Sequence, residues 1–451
     1  MATTGPITFS GLNGFDFSSI IDATIQSESG PINLLKARQT AIQNKDTALS
    51  SLGTQISQLE TTAATLGSQT SFTNTAANVT DPTLASASTG SGAIAGTYAL
   101  NIANLATSQV TSSANGYTNA TDTAATGGSI SFTIGGTTTT PITITSATSL
   151  ASLASQINSQ NSGVFAAVVN DGTNNKLVMT SRQTGTSNGF TINNTLTNTS
   201  GAAVAFAAGQ SPTSGNTQNA VNANFTVNGM NIVSGSNTVT TAIPGITVNL
   251  LKAGQTTVNV APDYTALQDT LSTLVSQYNS LQQYVASQSR ASQGQFGPLA
   301  NEPAVRQVMQ DIRNQVMASN SSSQYQYLAN VGVQFNTDGT LSFNQATFQA
   351  AINSNPTDVQ KLFQGTNNNG IFNNFSSGLQ ADDATAGLIW STTSSDKTTL
   401  QSLSNEITNQ QARLDMRRIQ LTKLYTAADQ AMIQLRAAGQ SLSQFGTQSL
   451  F

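Results

Sequence analysis

Apolar residues recur every seven positions through the last fifty residues of the chain, in two parallel series. The first series is Leu400, Ile407, Leu414, Leu421, Ala428, Leu435 and Leu442. The second is Leu403, Gln410, Arg417, Leu424, Ala431, Ala438 and Phe445. Seven heptads in phase, with no proline among them, predict one long helix of the coiled-coil type.

A shorter heptad pattern stands near the beginning of the chain. Its first series is Leu35, Ile42, Leu49, Ile56 and Ala63, and its second is Leu52, Leu59 and Leu66 after the polar residues Arg38 and Lys45. Gly30-Pro31 is expected to break this helix from an earlier one that Asp16 caps. Similar spacing in 267–285 and 305–316 predicts two more helices. Helices from both ends of the sequence favour a bundle, with Leu49–Leu66 beside Leu400–Leu424.

The middle of the chain has a different pattern. Only six of its residues between 71 and 260 are charged, and its apolar residues alternate with polar ones between turns such as Gly135-Gly136 and Asn228-Gly229. One helix is expected to begin near Ser149. Alternation of period two is typical of half-buried strands, so we expect two small β domains. A further hairpin is predicted at 331–343.

These patterns predict an α+β multidomain fold, in which both termini form a coiled-coil or helical-bundle stalk and two β-rich outer domains are inserted between them. The expected ranges are 1–40 for an N-terminal segment, 41–75 for the first part of the stalk, 76–260 for the outer domains, 261–424 for the main stalk, and 425–451 for a C-terminal segment. Both terminal segments are expected to be mobile in the monomer, because thin apolar stripes without a partner cannot offset the entropy of ordering.

Composition excludes several classes of function. The chain has no His and no Cys, which excludes Cys/His zinc sites, disulfides and imidazole-based triads. The net charge of −4 leaves no basic surface for nucleic acid, and no apolar run is long enough for a membrane span. The start lacks the basic and apolar regions of a cleaved signal peptide. We therefore expect no catalytic site, cofactor or metal. Asp382-Asp383 is interpreted as part of a solvated loop, and Trp390 with Ile389 as core, with an interface anchor as the alternative.

The candidate functional residues are those that would join helices. The expected assembly seam comprises Leu35, Ile42, Leu49, Leu52, Ile56, Leu59, Leu66, Leu400, Leu403, Ile407, Leu414, Leu421 and Leu424. The expected terminal assembly residues are Leu12, Phe15, Ile20, Leu435, Leu442 and Phe445. Arg38, Lys45, Gln410 and Arg417 are polar residues at seam positions, which either extend to solvent or set the register.

Several segments resemble one family, in the family's order from beginning to end. These are GLNGFDFSSIIDATIQSESGPINLL, GTYALNIANLATSQ, the stretch SLASLASQINSQNSGVFAAVVNDGTNNKLVMTSRQTG, and LANVGVQFNTDGTLSFNQATFQAAINSNPTDVQKLFQG. Together they resemble the bacterial flagellar filament cap proteins, also called hook-associated protein two. The third segment is similar to an insert motif that flagellins share.

The resemblance implies a structural, homo-oligomeric ring, with a pentamer favoured, at the distal tip of the flagellar filament. It implies export through the flagellar type III apparatus with an export chaperone, contact with flagellin and other hook-associated proteins, and promotion of flagellin folding and insertion, which motility needs. Adhesion to a host surface or mucus is a further implied role. The alternatives are a hook–filament junction protein or flagellin, a β-rich surface adhesin, and a glycosidase that uses scattered carboxylates.

Overall fold

The computed structural model describes residues 17–206, 217–291, 296–383 and 387–448. The chain divides into two compact units. The helical unit consists of Met1–Ser71 with Thr265–Phe451, and the β unit is Phe72–Tyr264. The expected α+β multidomain class is confirmed, because the β unit is inserted between two sequence-distant parts of one helical unit.

The helices range from about two turns to more than fifteen. In chain order, those of the described residues are α1 (Phe17–Glu28), α2 (Gly30–Leu66), α3 (Leu150–Ser159), α4 (Thr265–Ser289), α5 (Pro303–Val316), α6 (Gln345–Ser354), α7 (Pro356–Gln364), α8 (Ile371–Asp383) and α9 (Leu388–Gln448). At 1.5 Å per residue the 61 residues of α9 extend over about 92 Å.

The strands are short and antiparallel. In order they are β1 (Thr75–Val79), β2 (Ala85–Thr89), β3 (Gly96–Asn104), β4 (Val110–Ser112), β5 (Thr123–Ala125), β6 (Ser129–Ile134), β7 (Thr137–Thr138), β8 (Ile142–Thr143), β9 (Thr148–Ser149), β10 (Val164–Asn170), β11 (Asn175–Ser181), β12 (Phe190–Asn194), β13 (Thr217–Gln218), β14 (Ala223–Val227), β15 (Met230–Ser234), β16 (Thr238–Ile243), β17 (Ile246–Leu250), β18 (Gly254–Pro262), β19 (Val333–Phe335) and β20 (Leu341–Phe343).

The upper half of α2, from Leu49 to Leu66, is the centre of the helical unit. It contacts α4, α8 and α9. Tyr284 of α4 donates a hydrogen bond to the carbonyl oxygen of Ala48 at 3.0 Å, and Ser376 of α8 donates to Glu60 at 2.9 Å. Because α2 is covered by three helices along this half, its apolar residues form the main core of the unit.

Helix α9 runs antiparallel to α1 and the lower half of α2. Lys45 and Asp396 lie 2.8 Å apart, Arg417 and Glu28 3.5 Å, and the Phe17 and Tyr425 rings stack with centroids 5.2 Å apart. The residue numbers of facing residues therefore add up to about 442 throughout. This register contradicts the expected pairing: Leu400–Leu421 lies beside residues of about 21 to 42, while Leu49–Leu66 packs mainly against α4 and α8.

The expected break at Gly30-Pro31 is a minor one. Ser29 alone separates α1 from α2, and its backbone stays in the right-handed helical region at φ −80° and ψ −8°. The amide of Asn33 still donates to the carbonyl oxygen of Ser29. Proline in a first turn lacks only an amide that would have no helical partner anyway, so the chain continues with little change of conformation. Asp16, the expected cap of α1, lies outside the described residues.

The short elements of the helical unit begin where their side chains cap them. Asn344 accepts a hydrogen bond from the Thr347 amide, and Asn355, before Pro356, accepts one from the Asp358 amide. The predicted hairpin is present, with Val333 opposite Phe343. The acidic pair at 382–383 ends helix α8 instead of lying in a loop, so that expectation is wrong.

The β unit has two hydrophobic cores, as the alternation predicts. In the first, the sheet β1-β18-β3-β14-β15 packs with the sheet β16-β17-β2 around Phe225, Leu100 and Val258. In the second, the sheets β10-β11-β4-β13 and β12-β6-β7 enclose α3 around Phe132 and Leu153. Ser149 caps α3 by accepting from the Ser152 amide. The chain therefore forms β1–β3 around the first core, then the strands and the helix around the second core, and returns to the first core with β14–β18.

Candidate assembly surface

The expected seam has three parts with different surroundings. Its upper part on α2 is buried without exception: Leu49, Leu52, Ile56, Leu59 and Leu66 are all 0% exposed. Residues so enclosed by helices of their own chain stabilise the fold and are not available to another molecule. They are core residues and not an assembly surface.

The middle part joins α9 to the lower half of α2 and to α1. Leu403, Leu414 and Leu421 are buried, whereas Leu35, Ile42, Leu400 and Ile407 are half-buried. Ile20 of α1 is more exposed than these. Two helices alone cover each other incompletely, which explains the partial burial.

The last part is not covered by any element of the described residues. Leu424 is 63% exposed, Leu435 72% and Leu442 71%, and the alanines at 428, 431 and 438 between them are exposed as well. We call these six residues the C-terminal seam. Leu424, which the sequence assigns to the assembly seam, is therefore exposed within the single chain. Leu12 and Phe15 lie outside the described residues, as does the side chain of Phe445.

The polar seam residues differ from one another. Lys45 forms ion pairs with Asp396 at 2.8 Å and with Glu302 at 3.5 Å, so it links α2, α9 and the start of α5. Burial lowers the pKa of Lys45, but the two carboxylates outweigh this effect and raise it above the usual value. Arg417 pairs with Glu28 in an exposed position, Gln410 is half-buried and Arg38 is exposed.

A groove opens between α2 and the first turns of α9. It has a volume of about 880 Å³ and includes Asp46, Ser50, Thr54 and Trp390 in its lining. The expectation that Trp390 and Ile389 fill the core holds only for Ile389, because Trp390 is 45% exposed. The heptad pattern begins only at Leu400, so it could not indicate which of these two residues faces solvent.

The described residues contain neither a metal-binding cluster nor a membrane-spanning helix. No group of three or more acidic side chains among them is close enough to hold a metal ion. In the same residues, no helix combines the length and the apolar composition that crossing a bilayer requires.

Family models match most of the chain. Residues 13–109 match the flagellar hook-associated protein 2 N-terminus, residues 220–437 its C-terminus, and residues 129–183 the flagellin hook IN motif. The first two matches cover more than two thirds of the sequence, and each extends from the helical unit into the β unit. The chain belongs to the flagellar hook-associated protein 2 family.

Individual relatives agree with this family. The chain is 27% identical to flagellar hook-associated protein 2 of Escherichia coli K12 over 458 residues, which cover 96% of each protein. It is 24% identical to the B-type flagellar hook-associated protein 2 of Pseudomonas aeruginosa PAO1 over 385 residues, 79% of this chain and 80% of that one.

A solved structure agrees as well. The D1-D2-D3 domains of the flagellar cap protein FliD from Escherichia coli match with a TM-score of 0.57 and 25% identity, over 77% of this chain and 99% of that one. The family is that of the flagellar filament cap, so this member of the hook-associated protein 2 family is a structural protein with a cap role in filament assembly, located on the flagellum outside the cell.

Proposed function

We propose that the chain caps the filament tip as a homo-oligomeric ring, with five copies favoured by the family resemblance, and that the C-terminal seam joins the copies. In this role the ring promotes the folding and insertion of flagellin, after export of the chain through the flagellar type III apparatus with a chaperone. Contact with other hook-associated proteins and an adhesive ligand belong to the same prediction.

The observation that carries this proposal is the bare heptad pattern from Leu424 to Leu442. Its leucines and alanines alternate at the spacing of a coiled-coil interface, yet no described element of the same chain covers them. Apolar seams of this kind are stabilised only when a second helix buries them. Each leucine that passes from this exposure to burial contributes about 1.5–3 kcal/mol.

Burial along the seam explains why the end of α9 would become ordered on assembly. Leu35, Ile42 and Ile407, in the middle part of the seam, are half-buried within one chain, whereas Leu424, Leu435 and Leu442 are exposed. The region beyond Leu421 therefore has the least intramolecular support. We expect amide protection there to be low in the dilute monomer and to rise when copies associate. Strong protection in the monomer would contradict the proposal.

The test uses a strain that lacks the gene and produces variant chains. Replacing Leu435 and Leu442 together by Gln should leave the fold of the monomer intact, abolish oligomers in sedimentation analysis, and release flagellin into the medium without filaments. The matched control replaces Gln430 and Gln434, which are exposed on the same part of α9, by Ala. Normal filaments with the leucine variant would refute the role of the seam.

A further inference from the structure

The groove beside Trp390 has an unusual lining. We call it the Trp390 groove and define it by α2 from Asp46 to Gln58 and α9 from Ile389 to Lys397. Small residues, among them Ser50, Thr54 and Ser57, line its floor, and the indole of Trp390 forms part of its wall. Small side chains let another backbone approach closely, and an exposed indole offers a large apolar contact.

One end of the groove contains the carboxylate of Asp46. The Oδ1 atom of Asp46 is buried and has no hydrogen-bond partner among the described residues. Burial, and then the negative charge of Asp396, raise the pKa of Asp46, while Lys45 and Lys397 act in the opposite direction. Buried carboxylate oxygens are nearly always hydrogen-bonded in native assemblies, so a cation brought by an occupant would give the Asp46 carboxylate a partner once this side chain rotates toward the groove.

Helix α5 has an outer face that matches these requirements. Its apolar face, with Val305, Val308 and Ile312, is buried in its own chain. The opposite face exposes Arg306, Gln310 and Arg313, and Met317, directly after the helix, is exposed as well. No residue of α5 is part of the groove lining, so a chain does not fill the groove with its own α5.

Helix α5 runs beside the same part of α2 that lines the groove. Glu302, just before α5, is 3.5 Å from Lys45, which adjoins Asp46. At its other end, Gln315 lies against Gly378 of α8, two residues from the Ser376 that binds Glu60. The 14 residues of α5 span about 21 Å, and the groove from Asp46 to Gln58 spans about 18 Å.

We propose that the Trp390 groove of one copy receives the outer face of α5 from the next copy. This inference rests on the proposed ring, and it gives that ring a head-to-tail contact in addition to the C-terminal seam. Arg306 of one copy then lies opposite Asp46 of its neighbour, and Met317 lies near Ser57. A closed ring with head-to-tail contacts needs two different, complementary surfaces on each copy. The Trp390 groove and the outer face of α5 provide them.

Engineered cysteines test the contact directly, because the chain has no cysteine of its own. Ser50→Cys and Gln310→Cys are prepared as separate single variants and mixed before mild oxidation. We expect disulfide-linked dimers in the mixture and little linkage in either variant alone. Equal linkage within one single variant, or none in the mixture, would overturn the head-to-tail contact.

Charge reversal provides a second, independent test. Asp46→Arg and Arg306→Asp should each weaken assembly by at least about tenfold, and a chain with both changes should recover most of the loss. Arg413→Asp is the matched control, since Arg413 is an exposed arginine on α9 that lies outside the groove. The emission of Trp390, the one tryptophan of the sequence, should shift to shorter wavelength on assembly of the native chain and less so in the single variants.

The outcomes separate the two proposals. If the native chain assembles but the single charge reversals assemble equally well, the groove contact is wrong and the ring stands. If the native chain stays monomeric at every concentration tested, the ring is refuted, and the groove contact is refuted with it. Assembly that is lost in the single variants and recovered in the double variant supports both.

Discussion

The free energy of unfolding is expected to respond very differently to the same substitution in the buried seam of α2 and in the C-terminal seam of α9. Leu59 on α2 is 0% exposed, whereas Leu435 on α9 is 72% exposed. Replacing Leu59 by Ala removes about three carbon groups at ~0.8 kcal/mol each, and the cavity that remains brings the expected loss to about 3–4 kcal/mol. The same change at Leu435 should alter the free energy of unfolding by less than about 0.5 kcal/mol.

The assay is urea denaturation of the full chain at concentrations where it is monomeric. Trp390 belongs to the helical unit, so its emission reports on that unit without interference from the β unit. Sedimentation at high concentration then measures assembly, which Leu435→Ala should weaken and which a refolded Leu59→Ala chain should retain. Equal destabilisation by both substitutions, within about 1 kcal/mol, would refute the division of the seam into a core part and an assembly part.

Three further predictions concern the β unit. The backbone amides of Asn174 and Thr173, together with Lys176, lower the pKa of Asp171 to about 2. The contribution of this carboxylate to stability is therefore present above pH 3.8 and is lost as the pH falls through 2. Asp171→Asn should flatten this acid transition, and an NMR titration of the carboxyl group measures the pKa. The side-chain amide of Asn158 donates to the carbonyl oxygen of Ala166 on strand β10 and accepts from the amide of the same residue. Asn158→Ala should therefore destabilise the β unit by about 1–3 kcal/mol in thermal denaturation. It should also increase light scattering, because the freed backbone groups of β10 can pair with a strand of another chain. Gly185 has φ +92° and an added Cβ would lie 2.5 Å from Gly235, so Gly185→Ala should lower the melting temperature, whereas Gly136→Ala, with open space, should suffer only from its φ of +82°.

Much of the helical architecture was predictable because its signals are local. The heptads of α2 and α9 and the turn at 336–339 all depend on residues close together in sequence. Helix α8 was not predicted, although Ile371, Phe375 and Leu379 have helical spacing, because asparagine, serine and glycine separate them. Burial against α2 and α5 overrides that weak propensity.

The role of each seam residue was not predictable in the same way. A heptad identifies the side of a helix that is apolar, but the number of helices that cover it depends on distant segments. Leu59 and Leu435 both lie on the apolar side of a heptad helix, and only the arrival of α4 and α8 beside α2 makes one of them core. The exposure of Trp390 could not be predicted for the same reason, because it depends on which sequence-distant segments pack near the start of α9.

The antiparallel register of α9 with α1 and α2 couples the lengths of these helices. Lys45 with Asp396 and Arg417 with Glu28 are separated by 17 residues on one side and 21 on the other, and both contacts persist only while each helix keeps its own residue count. An insertion of seven residues between Glu28 and Lys45 would move every lower contact by about 10.5 Å unless seven were also added between Asp396 and Arg417. Changes of length in this part of the chain are therefore tolerated only as matched pairs, even though the two segments stand more than three hundred residues apart in the gene product.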